Sequence, residues 1–354
     1  MQQIKSNKYV NIDGDRFDVL KFVLAIFIIG IHTDVSYALM PIFRLAVPLF
    51  FIMTSYFFFH KQNILSSEQE KRTALKKYCL RILKLYLFWF ILLLPIIIYH
   101  KKWYAGVSIY FPVRLLQSFL FGSTFKASWF LAASLINIAA VWYLSRKLSN
   151  GVLLILGFIL YAFCCMTSSY CHLTERIPYF ADFYDGYTSI FGGPYNSFPV
   201  ATLFVVFGKY LADHQIYISN KSLCWITVLS FFLLYLEFYF VWKNRFILCN
   251  DSLFALIPLS LGIFMLIGQN HVKIQTRTSN LRKYSTIIFC AHASIAYVVL
   301  RLINHYFPDF QLFSYEDAEY ILNFFITLAI CLALCKFLLW LEKHEHFKWV
   351  KYSH

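Results

Sequence analysis

Lys21 and His32 are the residues best placed to do chemistry. With Asp18 and Asp34 they are the ionisable groups of a stretch, 17–36, that is otherwise largely apolar. An ammonium can hold an anion, and an imidazole can take up a proton or an acyl group. The spacing of eleven residues comes, at about 100° per residue, to within about 20° of three helical turns. On a helix the two therefore share one face, roughly 16 Å apart along the axis. Plainer readings stand beside these: Lys21 snorkelling to headgroups, and His32 hydrogen-bonded to a neighbouring helix. Asp34, two positions from His32, points to another face and belongs at the outer interface.

Arg44, near the start of PIFRLAVPLFFIMTSYFFF (41–59), falls at the depth of His32 on an antiparallel neighbour. A guanidinium there can orient a carbonyl, hold a carboxylate or face water. Pro48 is expected to bend that helix, and Thr54 and Ser55 to line the groove or bond back to their own helix. His292 lies seven residues into a segment beginning at 285, roughly 10 Å deep, which predicts a depth different from that of His32. That depth makes it a poor second base. Lining a donor path and bonding to Ser285 or a neighbouring helix are its two readings.

The elements that must position these groups are membrane spans. Apolar residues make up 60% of the 354 residues and charged residues 14%, against about 45–50% and about 25% in soluble domains. Such a chain cannot cover a water-soluble body of this size. With 39 Phe, 25 Tyr and 8 Trp it also cannot remain disordered in water. Ten segments suit spans: 17–36, 42–60, 82–99, 129–144, 152–167, 198–212, 222–242, 253–270, 285–304 and 320–341. Residues 107–121, interrupted by Pro112 and Arg114, read as interfacial or re-entrant. The expected fold is an all-α, polytopic bundle, 17–341, between cytoplasmic tails 1–16 and 342–354, forming a single domain.

The net charge of +14 fits the positive-inside rule better than a nucleic-acid surface. With both termini inside, 21 Lys and Arg fall on inner segments and seven on outer ones. Outer loops 168–197 and 305–319 are relatively acidic, and the aromatics of the first suit either packing on the bundle top or stacking against a sugar. Glu237, Arg301 and Lys336 sit near span ends and read as snorkelling or interfacial. The nine cysteines show neither CxxC nor Cys/His zinc spacing, so no metal site or permanently bound cofactor is expected.

Several of these motifs, in this order, resemble the bacterial acyltransferase type 3 membrane family. The resemblance rests on Lys21-x10-His32, the following ArgLeuAlaValProLeuPhePhe and ThrSer, Arg81-Ile-Leu-Lys84, Trp129-Phe130-Leu131, and Ser285-Thr-Ile-Ile-Phe-Cys-Ala-His292. The first two spans are also similar to the membrane domain of vancomycin-resistance serine racemases. Lys21 and Lys84 stand where arginine is commoner in the family, and Tyr56 where many members have glycine.

The resemblance implies transfer of an acyl group, usually acetyl, from cytoplasmic acetyl-CoA to a hydroxyl of an extracytoplasmic glycan or glycolipid. On that reading His32 and Arg44 are catalytic. Lys21, Arg81, Lys84, Ser285 and His292 serve the donor, and Ser55 and Trp129 the groove or acceptor. The expected location is the bacterial cytoplasmic membrane. With no hydrolase-like domain visible, any second domain the transfer needs is expected from a separate extracytoplasmic partner protein. Transport of a small polar solute such as an amino acid is the rival reading, and a siteless structural subunit is another.

Overall fold

The ten apolar segments each fold as helix, because in lipid the backbone groups of a span must be satisfied within the span. The computed structural model describes residues 14–101, 111–121, 124–174, 177–214, 216–244, 251–269, 278–306 and 316–354. The N-terminal tail through residue 13, residues 107–110 and the outer loop at 307–315 lie outside the described residues. Among the described residues the secondary structure is helical throughout, with no strand.

The helices are α1 (Gly14–Thr33), α2 (Met40–Phe43), α3 (Ala46–Ile64), α4 (Glu68–Lys101), α5 (Phe111–Leu120), α6 (Ser128–Leu144) and α7 (Asn150–Thr167). They continue with α8 (Cys171–Thr174), α9 (Phe180–Phe191), α10 (Phe198–Asp213), α11 (Asn220–Lys243), α12 (Leu256–Gln269), α13 (Ser279–Tyr306) and α14 (Glu316–Leu341). Six are long and apolar enough to cross a membrane, and the bent pair 180–196 with 198–213 makes a seventh if it is one span. The chain is thus a multi-pass membrane protein by length and composition. α6 and α12 are apolar but shorter, and α1 is not among the six, so length and composition among the described residues do not reach the expected count of ten.

The 42–60 segment, expected to bend at Pro48, is interrupted at Arg44 and Leu45, though Met40–Ile64 still counts as one candidate span. α2 ends at Phe43, and α3 starts at Ala46 with Pro48 in its first turn. There the missing N–H is no loss, because the first-turn amides have no intrahelical acceptor. Arg44 sits in the break. Residues 111–120 form a ten-residue helix, about 15 Å and too short to cross. Val113, Leu116 and Leu120 on it are exposed, and Gln117 donates to the carbonyls of Ser189 and Ile190 at the end of α9.

The centre of the bundle is α1, α3, α10 and α13, with α1 against α13 and α3 against α10. Gly208 of α10 lies so close to α3 that a Cβ would stand 2.5 Å from the Ile52 carbonyl oxygen and 2.6 Å from Ser55 Cβ. Peripheral helices α7, α11 and α14 turn large apolar residues outward, among them Ile159, Leu229, Phe232 and Phe325. In a bilayer that is the expected inside-out arrangement.

Polar ties hold the ends. Ser67 and Glu70 form a capping box at the start of α4, each accepting the other's amide at 3.1 Å. The Ser67 amide and hydroxyl hold the exposed Glu70 carboxyl below the usual carboxylate range. The C-terminal 3-10 turns, Glu345–Ser353, fold back on α4 and α14, where buried Trp89 donates Nε1–H to the Ser353 carbonyl at 3.0 Å. Residues 345–353 are therefore a docked segment, not a free tail.

Candidate functional site

The site is assembled by two parallel helices. Thr278, just before α13, donates to the Asp15 carboxylate in the first turn of α1, so both helices start at one level. His32 is 17 residues above Asp15 and His292 is 14 above Thr278, roughly 26 and 21 Å. The remaining gap is less than one helical turn. The two imidazoles meet with centroids 5.0 Å apart and planes tilted by 34°. The expected difference in depth is therefore corrected. α13 begins at Ser279, six residues (about 9 Å) earlier than the expected 285.

His292 is buried, 1% exposed. Its Nδ1 lies 3.0 Å from the Ile288 carbonyl and 2.8 Å from that of Phe289, on its own helix. Two acceptors facing Nδ1 require the proton there, which leaves a lone pair on Nε2. That Nε2 is buried without a hydrogen-bond partner among the described residues, a vacancy that costs about 1–3 kcal/mol in a folded core. The anticipated bond to Ser285 is not made, since the Ser285 hydroxyl donates to the Arg282 carbonyl at 2.8 Å.

His32 is half-buried, one residue before α1 ends. The helix is stopped by Asp34 at φ +51°, with the Val35 amide bonded back to Gly30. The arrangement resembles a left-handed C-cap, here with Asp as the left-handed residue. A carbonyl-rich helix end is a favourable place for a ring that gains positive charge. No hydrogen bond to the His32 ring is formed among the described residues. Arg44 and Lys126 lie within electrostatic reach of it.

Arg44 is paired with Asp251, and both side chains are mostly buried. Its Nε has no partner among the described residues. Asp251 opens a segment pinned from two sides. Tyr161 donates to the Leu253 carbonyl at 2.8 Å, and Glu237 accepts the amides of Phe254 and Ala255 at 2.8 and 2.7 Å. Glu237 also takes the Tyr170 hydroxyl at 2.7 Å. It caps the entry to α12 instead of snorkelling as expected.

Towards the start of α1, Lys21 is paired with Asp18 at 3.3 Å and lies over the Phe57 ring. Arg81 and Arg282 are within electrostatic reach of it. Arg81 and Lys84 are exposed, Lys84 with its ammonium 5.0 Å from the centre of the Tyr352 ring. Lys21 and Ser285 stand at similar levels, roughly 9 and 10 Å above the Asp15–Thr278 tie. This end of the bundle thus gathers cations from α1, α4 and α13.

Ser55 is fully buried and donates to the Val205 carbonyl at 2.5 Å, which makes it a contact of α3 with α10. Trp129 is half-buried against Phe51 and Phe130. It belongs to an aromatic wall, Phe50, Phe51, Phe130 and Phe289, whose last ring lies 6.1 Å from His292. Sequence reasoning missed Asp251, Lys126 and Arg282. Arg44 near an apolar segment signals that some carboxylate is needed, but nothing marks one 207 positions away.

A helical membrane bundle with a basic mouth at one end of a helix pair and two imidazoles towards the other defines a class: multi-pass proteins with a polar site between spans. The profile of the acyltransferase domain family matches residues 15–340, so the chain belongs to that family. Two curated relatives, both amino-acid racemases of Enterococcus faecalis, are 23% identical over 344 residues and 24% over 298. The alignments cover 92% and 80% of this chain but 46% and 40% of the relatives. The chain thus spans less than half the length of the curated relatives it matches. No solved structure matches.

Proposed function

We propose that this protein transfers an acyl group, acetyl being the expected one, from cytoplasmic acyl-CoA to a hydroxyl of an extracytoplasmic glycan or glycolipid. The proposed location is the bacterial cytoplasmic membrane, with both termini inside. One observation carries the reading beyond family membership. The face of α1 that bears Lys21 near the basic mouth bears His32 three turns further on, beside α13. In this scheme Lys21, Arg81 and Lys84 receive the CoA phosphates as point charges and a fork. The pantetheine arm lies along the α1–α13 groove, and the thioester reaches His32. His32 either removes the acceptor proton or accepts the acyl group. Arg44, fixed by Asp251, stabilises the oxyanion that develops on the carbonyl.

The test compares base-labile acyl groups on surface glycans in three strains: one lacking the protein, one carrying wild type, and one carrying His32→Ala at equal membrane level. Restoration by wild type alone is expected. Identical glycans in all three would sink the reading.

A second reading is supported by the relatives' name. A membrane region shared with amino-acid racemases would also suit passage of an amino acid without covalent chemistry. Uptake of a labelled amino acid that depends on this protein, with glycan acylation unaffected, would favour it.

A further inference from the structure

We infer that His292 is a second catalytic imidazole, taking the proton of the acceptor hydroxyl while His32 carries the acyl group. The inference rests on the acyl-transfer reading above and assigns the two rings different tasks.

The asymmetry of the pair carries it. His292 is fixed by two carbonyls on Nδ1 and buried among aromatic rings, with its Nε2 lone pair unpartnered among the described residues. A lone pair held in one direction, with no donor spent on it, is a prepared proton acceptor. His32 is half-buried, less enclosed than His292, at a helix end and without a hydrogen bond among the described residues. It is the ring that a thioester can reach. Once acylated on one nitrogen and protonated on the other, His32 has no lone pair left to accept the next proton. A second base is then required, and His292 stands 5.0 Å away, ring centre to ring centre.

The steps balance. A His32 nitrogen attacks the thioester carbonyl, the C–S bond breaks, and the CoA thiolate leaves with its electron pair. The acyl group now sits on a positively charged imidazole ring. The acceptor oxygen attacks the acyl carbon as its O–H proton passes to His292 Nε2. The C–N bond then breaks and returns its pair to His32. His292 releases its proton, which balances the one the thiolate takes up. Acyl-CoA and alcohol have become ester and free CoA.

The experiment uses the full chain and two readouts. Purified protein is incubated with radiolabelled acetyl-CoA and no acceptor, and protein-bound label released by hydroxylamine is counted. Base-labile acyl groups on surface glycans are measured in cells carrying the same variants at matched membrane levels. His292→Asn keeps an N–H near the Ile288 and Phe289 carbonyls but offers no basic nitrogen; His292→Gln is the second variant.

We expect both to retain the protein-bound label while glycan acylation falls by more than tenfold, and His32→Ala to lose both signals. Wild-type glycan acylation in either His292 variant overturns the inference. So does loss of the label in both, or a wild type that acylates glycans without ever carrying label. A wild type indistinguishable from the deletion strain in both readouts overturns the acyl-transfer reading itself, which separates the two failures.

Discussion

Lys21 and Arg44 show why a charged residue in a span has to be read with its partner. Lys21 is paired with buried Asp18, so removing the ammonium alone strands a carboxylate, a loss of roughly 3–5 kcal/mol in buried pairs. Lys21→Ala is therefore expected to lower both the amount of folded protein and donor use. Lys21→Ala with Asp18→Asn isolates the donor effect. The double variant should raise the KM for acyl-CoA about tenfold with a smaller change in kcat, and an unchanged KM would remove Lys21 from the donor path. Arg44 and Asp251 form the corresponding pair at the His32 end. Asp251→Asn frees the guanidinium to swing away. We expect acylation to fall by about tenfold at unchanged membrane level, with Asp251→Glu recovering part of it. Full activity in Asp251→Asn would show that Arg44 needs no anchor.

At the scale of elements, the contact of α3 with α10 fixes the core beside the aromatic wall. Ser55 reaches the Val205 carbonyl because Gly208 lets the two backbones approach. Gly208→Ala places a methyl group against the Ile52 carbonyl and the Ser55 side chain, and overpacking of this kind costs about 1–3 kcal/mol. The expected result is a clear drop in the temperature at which detergent-purified protein loses its monodisperse elution peak. A wild-type melting temperature would mean that α10 simply shifts outward. Glu237 acts at the same scale. By capping the amides before α12 and holding Tyr170, it keeps the segment that carries Asp251 in place.

For the whole molecule, orientation is the property on which the proposed chemistry depends, since donor and acceptor lie on opposite sides. By the positive-inside rule, the excess of Lys and Arg on one set of loops predicts a cytoplasmic 61–84. Ser66 and Asp185 are exposed in the described structure. In a background with exposed Cys224 and also Cys249 replaced by Ser, Asp185→Cys is expected to react with a membrane-impermeant maleimide in intact cells. Ser66→Cys should react only after permeabilisation. The reverse pattern would invert the bundle and put the basic mouth outside, where no acyl-CoA is supplied.

Hydrophobic run length and composition alone determine that this chain is a helical membrane protein, because a bilayer admits few other structures. The x10 spacing also places Lys21 and His32 on one face by helical geometry, without reference to any neighbour. What only tertiary structure decides is which faces meet. The depth of His292 depends on where α13 begins and on its tie to α1, and Ser279 to Thr286 is too polar for hydropathy to mark that start. The Arg44–Asp251 pair joins residues 207 positions apart, and Ser55 turns to α10 because a glycine there leaves room. Local periodicity orients a side chain about its own axis, whereas a contact needs the relative register of two axes. That register is set by close packing and by a few polar ties between helix ends.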